Sequence, residues 1–171
     1  EALSRDFGLH LLKVARATST SVVRVFYDGS MIQSKRRRYI EQRQILKREG
    51  HSIQIYELQG ELMFASTDAL IRDVADHWDK TDFLILDFHR VVDIDAASTR
   101  LLSSLLANNM TGDKCLLFTG TEDKYQFRRA LKKMVGESRN NEMHRFAEAD
   151  RALEWCEDQL LQNESMEPGD V

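Results

Sequence analysis

The sequence predicts an α/β fold in which a mixed β-sheet is flanked by helices. Between residues 50 and 163, short apolar runs of strand length alternate with stretches whose apolar residues recur at helical spacing. One run, Phe83–Phe88, is apolar except for Asp87, as expected for a strand that is covered on both faces of the sheet. Strands that alternate with helices require βαβ crossovers, so we predict one compact domain with about five strands.

The elements can be placed along the chain from composition and capping residues. β-branched and aromatic runs predict strands at Val22–Tyr27, Ile53–Phe64, Phe83–Phe88, Cys115–Phe118 and His144–Phe146. Apolar spacing and capping residues predict helices over residues 1–15, before Gly50, after a cap at Ser66 or Thr67, after Asp95, after a cap at Thr121 or Asp123, and around Leu153, Cys156 and Leu160.

Charge divides the chain into a basic arm and an acidic domain. The first 50 residues hold 11 Lys and Arg against 5 Asp and Glu, whereas residues 51–171 hold 13 against 23. We therefore predict an N-terminal arm of one helix, one strand and a basic linker over residues 1–49, the α/β domain over 50–163, and a flexible tail over 164–171. Because the sequence begins at Glu1 within a helical pattern, we interpret it as part of a longer protein.

The densest charge run, Lys35–Arg38, bears on the kind of partner. Nucleic-acid binding needs phosphate contacts and is helped by stacking aromatics, yet only Tyr39 is interleaved here and the whole chain has a net charge of −4. We expect this linker to pair with an acidic surface of the domain or of another chain, and we do not expect a nucleic-acid partner.

Composition argues against several other classes. No apolar run approaches the roughly 18 residues of a membrane span, so we expect no membrane insertion by this segment. Cys115 and Cys156 lie in apolar surroundings and are expected to be reduced, which favours a cytoplasmic location. The histidines show no metal-ligand spacing, and we predict neither a metal nor a cofactor.

The sequence holds no recognised catalytic motif, and we predict no catalytic residue. Asp87, Asp93 and Asp95 follow or end the central strand and form a candidate carboxylate cluster, although Asp95 is more simply read as a helix cap. Thr119-Gly120-Thr121 follows the next strand, where backbone amides can hold an anion or a nucleotide phosphate, although a plain β–α turn is the favoured interpretation.

The stretch Ile53–Leu161 resembles the STAS domain family, which is shared by sulphate transporters and anti-sigma factor antagonists. The resemblance rests on Glu57–Ala65, on Leu84–Phe88, on Val92–Ser98 and on the ending Phe146–Cys156, which occur in the family's order. It implies the mixed sheet described above. It also implies that the loop Asp95, Ala96, Ala97, Ser98 and Thr99 faces a protein partner and is the regulatory surface.

In antagonist members of that family, the second serine of an Asp-Ser-Ser-Gly loop is phosphorylated by a partner kinase. Ala97 stands at that position here and has no hydroxyl group. Ser98 and Thr99 are the remaining candidates for phosphorylation, displaced from the family position. The resemblance therefore implies the fold more strongly than regulation by phosphorylation.

Two further resemblances concern the longer protein. Glu1–His10 is similar to the terminal helix of β-lactamase-like glutaminases, some of which carry a C-terminal STAS domain, whereas Ser21–Leu46 resembles the lead-in to the STAS domains of sulphate permeases. The first resemblance implies a regulatory domain attached to an enzyme that hydrolyses glutamine to glutamate and ammonia. The alternatives are the cytoplasmic domain of an anion transporter and a nucleotide-binding module. Expected partners are the upstream catalytic domain, another protein, or a second copy in a symmetric dimer.

Overall fold

The computed structural model describes residues 22–109, 114–136, 143 and 146–166. The elements are, in chain order, β1 (Val23–Asp28), α1 (Ile40–Glu49), β2 (Ile53–Leu62), α2 (Phe64–His77), β3 (Phe83–Ile94), α3 (Ala96–Asn109), β4 (Cys115–Thr119), α4 (Tyr125–Val135) and α5 (Ala149–Met166). The predicted helix over residues 1–15 lies outside the described residues, as do His144 and Arg145 of the predicted last strand. Phe146 is described and is not part of a strand.

The four strands form one mixed sheet in the order β1-β2-β3-β4, which confirms the predicted fold class. β1 runs antiparallel to β2, and β2, β3 and β4 are parallel to one another. In the register of the sheet, Ile55 lies opposite Ile85, which in turn lies opposite Leu117. Parallel pairing requires the crossovers through α2 and α3 that the alternating sequence pattern predicts.

Helices cover both faces of the sheet, which explains why Phe83–Phe88 of the central strand is apolar except at Asp87. On one face α2, α3 and α4 pack over a cluster that includes Tyr56, Leu84, Leu86, Phe88, Leu102, Phe118, Phe127 and Leu131. On the other face α1 and α5 cover Leu46, Ile53, Ile55, Ile85, Leu117, Leu153 and Cys156. Leu84 and Ile85 thus point to opposite sides and are both fully buried.

Two element boundaries differ from the sequence prediction at the place where β2 and β3 end. β3 continues beyond Phe88 to Ile94 because β2 pairs with it over that length, down to the pair Leu62 and Ile94. α2 begins at Phe64, so Phe64 is not in the preceding strand and neither Ser66 nor Thr67 is the cap residue. Instead Ser66 Oγ accepts a hydrogen bond of 3.2 Å from the backbone N–H of Met63.

The last two helices differ in a similar way. α4 begins at Tyr125 with Lys124 at the capping position and without a side-chain cap, so the predicted cap at Thr121 or Asp123 is wrong. α5 continues to Met166, past the start of the segment predicted to be a tail.

The basic linker is held against α5 by ion pairs. The guanidinium of Arg38 lies 2.9 Å from the carboxylate of Glu157 and 2.7 Å from that of Asp158, and Arg36 contacts Asp158 at 2.8 Å. Ser34 donates to the same Glu157 carboxylate from its backbone N–H at 2.7 Å and from Oγ at 2.5 Å. The expected pairing of the linker with an acidic surface is confirmed for Arg36 and Arg38.

Candidate functional site

The predicted regulatory loop lies where β2 and β3 end side by side. The backbone N–H of Asp95 donates to the carbonyl of Leu62 at 3.1 Å, which ties the start of α3 to the end of β2. The carboxylate of Asp95 accepts the N–H of Ser98 at 2.6 Å and further backbone N–H groups of Phe64 and Ala97. These bonds, led by that of Ser98, favour the ionised form and lower the pKa of Asp95. Asp95 is therefore a helix cap that also orders the start of α2.

The two hydroxyl groups of this loop face inward. Ser98 is fully buried, and its Oγ donates to the carbonyl of Leu62 at 2.9 Å and accepts from Thr67 Oγ1 at 2.9 Å. Thr99 is also buried, and its N–H donates to the Asp95 carbonyl at 3.0 Å. In this fold neither hydroxyl is presented to a kinase, whereas Ala96 is exposed and Ala97 is half-buried.

Exposed apolar residues lie at the same end of the sheet as the loop, and the sequence did not predict them. Met63 and Phe64 follow β2 directly, and more than half of each is exposed. Val92 near the end of β3 is 75% exposed, although its neighbour Val91 is buried. We call the end of the sheet formed by Met63, Phe64, Val92 and Ala96 the apex surface. No sequence pattern distinguishes these residues, because the apolar residues next to them, Leu62 and Val91, are buried.

The carboxylates proposed as a cluster are not brought together. Asp87 lies in the middle of β3, and six residues of extended strand, about 20 Å, separate it from Asp93. Its Oδ1 accepts a hydrogen bond from Thr119 Oγ1 at 2.9 Å, so it links β3 to β4. The clustered arrangement is therefore wrong, because β3 extends beyond Asp87. Within the described ranges no group of three His, Cys, Asp or Glu residues is placed to hold a metal ion.

The segment Thr119-Gly120-Thr121 lies at the end of β4, as the sequence predicts, and its central amide is engaged. The N–H of Gly120 donates to the carbonyl of Ala147 at 2.9 Å, and Thr119 and Thr121 are both buried. Gly120 has a φ of 65°, and a Cβ atom there would lie 2.6 Å from the backbone nitrogen of His89. The positive φ and the close packing explain why a glycine is at this position without a bound anion.

Comparison with known proteins finds one domain family that matches part of the chain. The model of the STAS domain family matches residues 44–110, which contain β2, β3, α2 and α3. A crystal structure of a sulfate transporter family protein from Wolinella succinogenes superposes with a TM-score of 0.51 at 24% sequence identity, over 63% of this chain and 86% of that one. Residues 44–110 therefore match the STAS domain family, and the likeness to the transporter family protein is one of fold.

The curated relatives carry a different name. Glutaminase 2 of Bradyrhizobium diazoefficiens is 35% identical over 161 residues, and Glutaminase 1 of the same organism is 28% identical over 161 residues. Each match covers 94% of this chain, but the chain spans only about a quarter of the length of these relatives. None of the helices among the described residues is long and apolar enough to cross a membrane.

Proposed function

We propose that this chain is a non-catalytic interaction domain of a glutaminase-type protein and that the apex surface is where it docks onto the rest of that protein. The observation that carries the proposal is the exposure of Met63, Phe64 and Val92 at one end of the sheet. Exposed apolar side chains gathered at one place mark interaction sites more often than single exposed residues do.

The geometry of the apex surface supports binding rather than chemistry. The polar side chains next to this surface already have hydrogen-bond partners within the chain. Asp95 accepts backbone N–H groups, and the Ser98 hydroxyl is hydrogen-bonded to the Leu62 carbonyl and to Thr67. A nucleophile must reach its substrate, and the Ser98 hydroxyl is fully buried and engaged by the Leu62 carbonyl, the Thr67 hydroxyl and the Asp95 carboxylate. The exposed groups are apolar, and burying them against a second surface is favourable by about 25 cal/mol per Å².

The identity of the docking partner is inferred from the relatives. A relative that is 35% identical over nearly the whole chain is named a glutaminase, and three quarters of its length lies outside the match. In our proposal, hydrolysis of glutamine to glutamate and ammonia belongs to that remaining part, and this chain regulates or positions it. The isolated chain should release no ammonia from glutamine.

The test uses two variants that differ only in where they act. Phe64 and Tyr125 are both exposed aromatic residues at the first position of a helix, α2 and α4. A glutamate at that position suits the helix dipole in either case, so Phe64→Glu and Tyr125→Glu should both fold. The remainder of the parent protein is produced separately, and its affinity for each variant is measured by titration calorimetry.

We expect Phe64→Glu to weaken binding at least about tenfold, since a desolvated charge replaces an apolar contact, and Tyr125→Glu to leave it unchanged. Equal affinity of the two variants would exclude the apex surface. Absence of binding by the unmodified chain, or ammonia release that a substitution within the chain abolishes, would overturn the proposed function itself.

A further inference from the structure

The loop after β1 and the outer face of α1 enclose a basic cleft with a volume of about 930 Å³. Of its twelve lining residues, six are Lys or Arg and none is acidic. This positive charge belongs to the basic arm of a chain whose net charge is −4. The cleft lies beside the start of β2, because Gly29 at the beginning of the loop donates to the carbonyl of Ile53 at 2.9 Å.

Four of the six cations have no anionic partner among the described residues. Arg36 and Arg38 are neutralised by the carboxylates of α5. The side chains of Lys35, Arg37, Arg43 and Lys47 are exposed and form no ion pair with any part of the chain that the structure describes. Like charges held close together repel one another, so an anionic ligand would be stabilised there.

The sequence of α1 explains why two of these cations point into the cleft. Ile40, Arg43, Gln44 and Lys47 follow the spacing of a single helical face and all line the cleft. Leu46 projects about 120° away around the helix axis and is fully buried under α5. The burial of Leu46 thus fixes the rotation of α1 and turns its basic face outward.

The other wall of the cleft is held in place at several points. Asp28 Oδ1 accepts the N–H of Ser30 at 2.9 Å, and Gln33 Nε2 donates to the carbonyl of Arg43 at 3.1 Å, directly across from α1. At the base Gly29 and Gly50 approach so closely that a Cβ on Gly50 would lie 2.5 Å from the carbonyl carbon of Gly29. A preformed cleft loses little conformational entropy when a ligand binds.

We propose that this cleft binds an acidic peptide segment of a partner protein, with aliphatic residues between its carboxylates. Arg43 and Lys47 are one helical turn apart, about 6 Å along the axis, which suits carboxylates on alternate residues of an extended peptide. Met31 and Ile40 line the same cleft with much of their side chains exposed, and they provide apolar contacts between the cations. This site is separate from the apex surface.

The lining favours a peptide over a nucleic acid. Single strands of nucleic acid stack their bases on aromatic side chains, and none of the described lining residues of this cleft is aromatic. Tyr39 lines a smaller neighbouring cleft of about 450 Å³ instead. Aliphatic side chains beside exposed cations match a segment that carries both carboxylates and aliphatic groups.

Two double variants provide a matched test. Arg43→Glu/Lys47→Glu reverses two charges in the cleft, and Arg129→Glu/Lys133→Glu does the same on α4, on the other face of the sheet. Both pairs join an Arg and a Lys four residues apart, all four residues are exposed, and each Lys lies in the last turn of its helix. Effects on net charge and on the helix dipole are therefore equal in the two variants.

The probe is a short fluorescein-labelled peptide of repeating Glu-Leu-Glu-Ser units, and binding to the whole chain is followed by fluorescence anisotropy. A peptide with Gln in place of Glu and a labelled oligodeoxythymidine serve as comparisons. We expect saturable binding of the Glu peptide that weakens at least about tenfold in Arg43→Glu/Lys47→Glu and less than about twofold in the α4 variant. Phe64→Glu should bind the peptide like the parent chain, which keeps this result independent of the proposed function.

Three results would overturn the proposal. The first is absence of saturable binding of the Glu peptide at low salt. The second is equal weakening in both double variants, which would mean that only overall charge is sensed. The third is tighter binding of the oligodeoxythymidine than of the peptide, with loss in the cleft variant, which would make the cleft a nucleic-acid site.

Discussion

Arg38 and Glu157 are 119 residues apart in the sequence, and their charged groups are in contact with almost no exposure to solvent. Arg38 Nε donates to Glu157 Oε2 at 3.0 Å, and Ser34 satisfies both oxygens of the same carboxylate. Only 4% of the Arg38 side chain and none of that of Glu157 is exposed. The pair joins the loop after β1 to the middle of α5, so it fixes the position of the loop that lines the basic cleft.

Removing one member of this pair should destabilise the chain strongly. Glu157→Ala removes the buried acceptor of the Arg38 Nε–H and of the Ser34 N–H, while Arg38 keeps its contact with Asp158. We therefore expect a loss of about 3 kcal/mol in the free energy of unfolding, the lower end for a broken buried pair. Arg36→Met is the control, because 48% of that side chain is exposed, and it should cost less than about 1 kcal/mol. Urea unfolding followed by circular dichroism gives both values, and similar losses would contradict a buried, specific pair.

Ser98 provides a second test, directed at the loop after β3. Ser98→Ala removes the acceptor of the Thr67 hydroxyl and one donor to the Leu62 carbonyl, and we expect a loss of about 1–3 kcal/mol. Ser104→Ala on the exposed side of the same helix should lie within about 0.5 kcal/mol of the parent. Thermal and urea unfolding compare the two, and mass spectrometry of the native protein should find Ser98 unmodified. A neutral Ser98→Ala would show that the hydroxyl is not engaged.

Substitution of Gly60 and Gly120 distinguishes the energetic cost of a positive φ from the cost of a steric clash. Both have positive φ, 65° and 72°, but a Cβ would meet the His89 backbone only at Gly120, and nothing lies within 4 Å of one at Gly60. Gly60→Ala should cost about 1–2 kcal/mol for the left-handed conformation alone. Gly120→Ala should cost clearly more, because the end of β4 must move away from β3. Equal urea midpoints for the two variants would refute this packing.

Alkaline pH should weaken the fold through Tyr27, which is partly buried, and Tyr56, which is fully buried. Burial, with help from the nearby Glu57, raises the pKa of Tyr27 from 10.0 to about 12. The folded state therefore keeps a proton that the unfolded state releases, and the stabilisation is complete below pH 10 and is lost between pH 10 and about 12. Burial, followed by the hydrogen bond to Asp73, also raises the pKa of Tyr56.

Tyr27→Phe has no proton to lose at this position, so its free energy of unfolding should fall less steeply between pH 10 and about 12 than that of the parent chain. Urea unfolding at several pH values measures the slope, and tyrosinate absorbance follows the ionisation. The same slope in Tyr27→Phe would mean that other groups control alkaline unfolding.

Hydrophobic periodicity and residue composition are sufficient to predict most of the helices and strands. The run Phe83–Phe88 indicated a strand covered on both faces, and Ile85 and Leu86 are indeed buried under opposite helix layers. Asp95 was recognised as a helix cap from its position alone. The start of α2 was predicted too late, because Phe64 is apolar and aromatic like a strand residue, and only its exposure at the helix start distinguishes it.

The candidate surfaces were harder to predict because they depend on contacts distant in sequence. The run Lys35–Arg38 appears uniform, yet Arg36 and Arg38 meet α5 whereas Lys35 and Arg37 remain unpaired with the described residues. That division follows from the direction in which each side chain leaves the loop. The exposure of Val92 beside a buried Val91 likewise depends on how far the helices extend over the sheet.

β2 acts as a spacer between two surfaces of different physical character. The cleft lies beside its first residue, Ile53, and the apex surface begins just after its last, Leu62, so about 30 Å of hydrogen-bonded strand separates them. The strand is paired with β3 from Ile53 to Leu62 and with β1 from Gln54 to Leu58, which makes this distance rigid. In our two proposals, both partners are therefore held at a fixed distance at the same time, one attracted by charge and released by salt, the other retained by apolar contact at any ionic strength.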